Sequence, residues 1–123
     1  MKYPKFLLLI SFLFVSFQGL SQTWEQIGDT FQGEDGGSRL GRSVATNKDG
    51  SVVVIGEPEN RGETSSTHGR VWVLRKTSSN NWEQMGQDLK GVGSDQFGYT
   101  VAISDDGYTI AVTSINSIPE TVK

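Results

Sequence analysis

Trp24-Glu-Gln-Ile-Gly28 returns as Trp82-Glu-Gln-Met-Gly86, 58 positions later. Leu40-Gly-Arg-Ser-Val-Ala45 then matches Phe97-Gly-Tyr-Thr-Val-Ala102, and Asp49-Gly50 matches Asp106-Gly107, both at an offset of 57. The single-residue difference falls in the glycine-rich stretch between the matching blocks. A self-match whose only gap lies in a turn marks a repeated structural unit, and such a unit buries its apolar surface chiefly against its neighbours. The period lies somewhat above the usual range of roughly 20–50 residues and suits a unit of four short strands. The first repeat spans about 24–81 and the second, partial, about 82–123.

The repeats are preceded by a different kind of sequence. Lys2 and Lys5 lead into Phe6-Leu-Leu-Leu-Ile-Ser-Phe-Leu-Phe-Val-Ser-Phe17, and Gly19 and Ser21 then occupy small-x-small positions. A basic start, a short apolar core and that exit predict a signal peptide over 1–21, with cleavage after Ser21. Twelve apolar residues are too few to span a bilayer, which takes about 20. An uncleaved anchor or a buried strand is the alternative. Cleavage leaves residues 22–123, with no stable membrane span, in a secreted or cell-envelope location. The chain has no cysteine, which excludes disulfides and thiolate metal sites. A net charge of −3 argues against nucleic-acid binding, which calls for a basic patch.

Between glycine-rich punctuation lie short β-branched and aromatic runs, expected as strands: Thr23–Ile27, Arg42–Thr46, Ser51–Ile55, Arg70–Arg75, Trp82–Met85, Tyr99–Ile103 and Thr109–Thr113. No run has helical spacing with caps, so no helix is expected beyond the leader. Asn47-Lys-Asp-Gly50 and Ser104-Asp-Asp-Gly107 each join two strand-like runs, with glycine at the positive-φ position of a tight hairpin. Val52–Ile55 and Ile110–Val112 lack polar alternation and read as strands covered on both faces. Trp24-Glu-Gln-Ile27 and Trp82-Glu-Gln-Met85 read as outer edge strands, with Glu and Gln facing water. Pro58–His68 reads as a surface loop.

These elements resemble FG-GAP-type repeats, the blades of integrin-α-like β-propellers, in their exported bacterial variant. Phe97-Gly98 is similar to the FG element and Leu40-Gly41 is the same element with Leu for Phe. Ile55-Gly-Glu-Pro58 resembles the GAP element, with Glu57 where the family usually has Ala, and Gly69-Arg-Val-Trp-Val-Leu74 resembles the strand that follows. The resemblance covers Thr23–Thr113. It implies an all-β fold, an incomplete β-propeller of about one and a half four-stranded antiparallel blades. It also implies further blades of a parent protein, since a closed propeller takes roughly four to eight. Family blades often carry a calcium loop of alternating Asp and Asn. The turns at Asp49 and Asp106 offer too few carboxylates for one, and Lys48 opposes a cation.

Few residues suggest chemistry. His68, the sole histidine, cannot make a multi-histidine zinc site and is expected to be solvated. Glu57, Glu59 and Glu63 offer either calcium ligands or a paired acid and base; a solvated acidic loop tempered by Arg61 and Arg70 is favoured. Ser104–Ile110 loosely resembles the Asp-box hairpin of sialidase-type propellers, a structural turn; the arginine cluster and Tyr/Glu pair of a sialidase do not assemble. Trp24, Trp72 and Trp82 suit packing between blades better than sugar stacking. No catalytic, cofactor-binding or metal-ligating residue is assigned. The expected function is non-enzymatic, an extracellular binding or adhesion module contacting protein or glycan through surface loops. The alternative is part of a secreted hydrolase, of sialidase or polysaccharide-degrading type, with its active site in other blades.

Overall fold

A computed structural model of the chain describes residues 23–33, 36–62 and 68–115. The expected signal peptide, Glu63 and the last part of the second repeat lie outside them. Two matching hairpins organise the fold. At each turn a glycine takes positive φ (Gly50 70°, Gly107 76°), and its N–H donates to the carbonyl of Asn47 or Ser104. Asp49 Oδ1 accepts the Ser51 N–H at 2.9 Å, and Asp106 Oδ1 accepts the Tyr108 N–H at 3.0 Å. Asn47 Oδ1 accepts from Val52 N, as Ser104 Oγ does from Thr109 N. These are Asx-type turns in which the side chain replaces backbone partners and fixes the strand exit.

The first turn joins β1 (Ser43–Thr46) to β2 (Val52–Glu57), which pairs antiparallel with β3 (Arg70–Lys76). The outer edge of β3 is shared by β4 (Trp82–Gln84) and β5 (Leu89–Lys90), giving a five-stranded sheet. The second turn joins β6 (Thr100–Ile103) to β7 (Ile110–Thr113) in a separate two-stranded sheet. No helix occurs among the described residues and neither sheet closes into a barrel. The β6–β7 register repeats the β1–β2 register residue for residue: Ser43 faces Gly56 as Thr100 faces Thr113, and Thr46 faces Val53 as Ile103 faces Ile110.

Strand alternation decides how the sheets meet. Ser43, Ala45, Val54, Val71 and Val73 point to one face of the first sheet, and the second sheet lies against that face through Val101, Ile103, Ile110 and Val112. Val54, Val71 and Val101 form the buried centre. Val44, Val53, Ile55, Leu74 and Trp82 point the other way. The second sheet turns Thr100, Ala102, Ala111 and Thr113 to solvent. β2 buries Val52 and Val54 and leaves Val53 and Ile55 half-buried, while β7 leaves Ala111 exposed between half-buried Ile110 and Val112.

Beside this core several backbones cross almost in contact. Gly69 forms a parallel bridge with Phe97, Gly91 N–H donates to the Gly69 carbonyl, and Phe97 N–H donates to that of His68. A Cβ on Gly56 would strike the Gly98 carbonyl, and one on Gly91 would strike that of His68. Only glycine allows such approach.

Thr23–Ile27 is extended but forms no strand, contrary to expectation, and Trp24 is 93% exposed. Its copy Trp82–Gln84 pairs along β3, whereas the position equivalent to Leu74 for the first copy is residue 16, outside the described residues.

Candidate functional site

The face of the first sheet turned away from β6–β7 carries an apolar groove. Val53 and Ile55 of β2, Leu74 of β3 and Trp82 of β4 line it from below. The segment 27–31 crosses above, adding Ile27, Asp29 and Phe31, and together they enclose an apolar groove of about 250 Å³. Phe31 meets Trp72 edge-on, with ring centroids 4.8 Å apart and planes at 85°. That is the favoured arrangement for two aromatic quadrupoles. Gly28 packs against Asn81 and Trp82, which seats the crossing segment on the start of β4. Val44 continues the apolar surface into solvent at 56% exposure.

At one end the groove gives way to a polar stack set by the β2–β3 register, which places Glu57 opposite Arg70. Trp72 Nε1 donates to Glu57 Oε2 at 3.1 Å. The Arg70 guanidinium lies 3.4 Å over the Trp72 ring and donates to Asp88 Oδ2. Gln84 donates to Asp88 Oδ1 at 2.7 Å, and Lys90 Nζ stands 3.6 Å from Oδ2. The hydrogen bond from Arg70, then that from Gln84, holds the Asp88 carboxyl below its ordinary pKa. A cation over an indole face beside a carboxylate is a mutually reinforcing pair of contacts.

Glu57 is fully buried. Its Oε1 has no hydrogen-bond partner, and a Cβ added to Gly33 would lie 2.7 Å from it. This stack braces the end of the sheet, and the chemistry it offers is cohesion.

The remaining residues singled out in the sequence scatter. Glu59 pairs with Arg39 at 3.1 Å on the surface, apart from buried Glu57, so these two do not form a joint site; Glu63 lies outside the described residues. His68 is half-buried at the base of the loop rather than fully solvated. Hydrogen bonds from Ser51 and from Ser104 and Tyr108 lower the carboxyl pKa values of Asp49 and Asp106. Both carboxylates are engaged within their own turns. Among the described residues no three His, Asp or Glu side chains converge as metal ligands. The tryptophans divide: Trp72 is core, Trp82 lines the groove, and Trp24 is almost fully exposed.

Sequence reasoning missed Phe31, Asp29 and Asp88. Asp88 carries no motif, and Phe31 lies in a stretch with no strand pattern. No family model, no curated protein and no solved structure matches the chain.

Proposed function

We propose that this chain is an exported, non-enzymatic binding module: successive blades of an FG-GAP-type, integrin-α-like β-propeller that contacts extracellular protein or glycan. One observation carries the reading. The β1–β2 hairpin and its copy share one register, and the copy is laid face to face on the first sheet, as the blades of a radial array require. A repeat that stacks in this way presents its loops and its outer face to partners, and an apolar groove edged by Trp82 and Asp29 suits binding. The groove has no buried acid or base open to it. Glu57, the buried carboxyl nearest the loop, is sealed by Trp72 and Gly33. The hydrolase alternative has no specific observation in its favour among the described residues.

The test is solid-phase binding of the purified chain to a panel of immobilised glycans and extracellular-matrix proteins, alongside turnover assays on sialosides and polysaccharides. The module reading expects saturable binding weakened at least tenfold by Trp82→Ala, with no turnover. Turnover by the chain, or binding to no member of the panel, would overturn it.

A further inference from the structure

We infer that the groove beneath 27–31 takes a protein segment in which a large apolar side chain stands beside a lysine or arginine. The apolar side chain enters the groove and the cation meets Asp29. The inference rests on the reading of the chain as a binding module and narrows its partner from protein or glycan to protein.

The lining selects the apolar half of this ligand. Val53, Ile55 and Leu74 form the floor, and Ile27, Phe31 and Trp82 the sides. None of these side chains carries an acceptor, and the Trp82 indole N–H is their single donor. A sugar ring bears a hydroxyl on nearly every carbon and would leave most of them unpaired there, which burial penalises. An aliphatic or aromatic side chain gives up no hydrogen bond on entering. At about 250 Å³ the groove falls below the roughly 300–1,000 Å³ of sites that enclose a whole small molecule, and it suits one large side chain. Its walls are preformed. Phe31 is seated edge-on against Trp72 and Gly28 rests on Asn81 and Trp82, so both ends of the crossing segment are held.

Asp29 selects the cationic half. It is the sole charged residue of the lining and stands exposed on the crossing segment. Neighbouring carboxylates are engaged: Glu57 accepts from Trp72, Glu59 pairs with Arg39, and Asp88 is held by Arg70 and Lys90. Among the described residues the Asp29 carboxylate makes no hydrogen bond or ion pair. Lys76 faces Trp82 in the β3–β4 register but is not part of the lining, so Asp29 sets the sign of the groove. A partner lysine or arginine can lay its alkyl stem along exposed Ile27 and Phe31 and bring its charge to the carboxylate. An acidic residue in that place would face a like charge.

Three capped hexapeptides that differ only at two central positions, Phe-Lys, Phe-Glu and Ser-Lys, are titrated into the purified full chain by calorimetry at low salt. Phe-Lys should bind at least about tenfold tighter than either of the others, since one meets a like charge and the other lacks the buried ring. Trp82→Ala should weaken Phe-Lys to the level of Ser-Lys. Asp29→Lys should reverse the order of Phe-Lys and Phe-Glu with circular dichroism unchanged, a reversal that a merely structural disturbance does not produce. Equal binding of Phe-Lys and Phe-Glu, a preference that Asp29→Lys leaves intact, or no binding of Phe-Lys overturns the inference. Glycan or matrix binding lost in Trp82→Ala without any preference for Phe-Lys removes this inference and leaves the module reading in place.

Discussion

Trp72→Phe tests the brace between Glu57 and Arg70. Phenylalanine keeps an aromatic ring but cannot donate, so Glu57 Oε2 loses the 3.1 Å bond. Oε1 already lacks a partner, which leaves a fully buried carboxyl with neither oxygen satisfied. Leaving a buried acceptor unmade costs about 1–3 kcal/mol. The smaller ring also opens a void under Phe31 and weakens the cation contact with Arg70, which adds about 1 kcal/mol. We expect a loss of about 3 kcal/mol, a large share of the roughly 5–15 kcal/mol that holds a domain together. Glu57→Gln is the diagnostic partner. It keeps an acceptor for the indole and removes the acid, so it costs much less alone and recovers part of the loss in the double variant. Urea denaturation of all four proteins closes the cycle, read at constant m-value. A Trp72→Phe protein within about 0.5 kcal/mol of the parent, the size of an ordinary surface change, would refute the argument.

Other expectations follow from features of the fold. Gly69→Ala forces a side chain onto the Phe97 backbone at a φ of +77°, and we expect a loss of at least about 2 kcal/mol in the same denaturation assay. Asp49, Asp88 and Asp106 all have carboxyl pKa values lowered from 3.8 in the folded chain, so the unfolded chain binds more protons in acid. Their contribution is complete above the ordinary value and is lost as pH falls through the lowered ones; urea midpoints should drop below about pH 4, less steeply in Asp88→Asn. Calcium should leave the melting temperature unchanged, because the turn carboxylates are committed to their own backbone; a rise of several degrees at sub-millimolar calcium contradicts this. Mass spectrometry of exported protein should find a chain beginning at Gln22, and retention of residues 1–17 would remove the signal-peptide reading.

The hairpins were legible because their turn chemistry is local. Asn47, Asp49 and Gly50, like Ser104, Asp106 and Gly107, act within five residues of themselves, so a short window of sequence holds the whole cause. The failed strand at Thr23–Ile27 has the opposite character. Its composition equals that of β4, whose pairing with β3 is a tertiary event that no propensity records. Leu89–Lys90 escaped notice because two residues make no pattern; Arg70 and Val71 recruit them across the edge of β3. The groove was legible only as apolar residues, since what makes it a groove is the crossing of 27–31 over β2 and β3, a tertiary event. The brace was half legible: Glu57 stood out as an anomaly in its motif, while Asp88 became meaningful only once Arg70 reached it.

The crossing of Gly56, Gly69, Gly91 and Gly98 bears on the order in which the chain assembles. Each hairpin closes over a few residues, whereas the Gly69–Phe97 bridge closes 28 and the Gly56–Gly98 approach closes 42. Loop-closure entropy delays such distant meetings until local structure has formed. On this argument the two hairpins form before the backbones lock, and the lock is expected to come late, after the main barrier. Stability placed there acts on the rate of escape from the native state. In a chevron analysis, substitutions at these glycines steepen the loss on the unfolding limb and leave the folding limb near that of the parent, so this crossing works as a latch on lifetime and not as a guide to the fold.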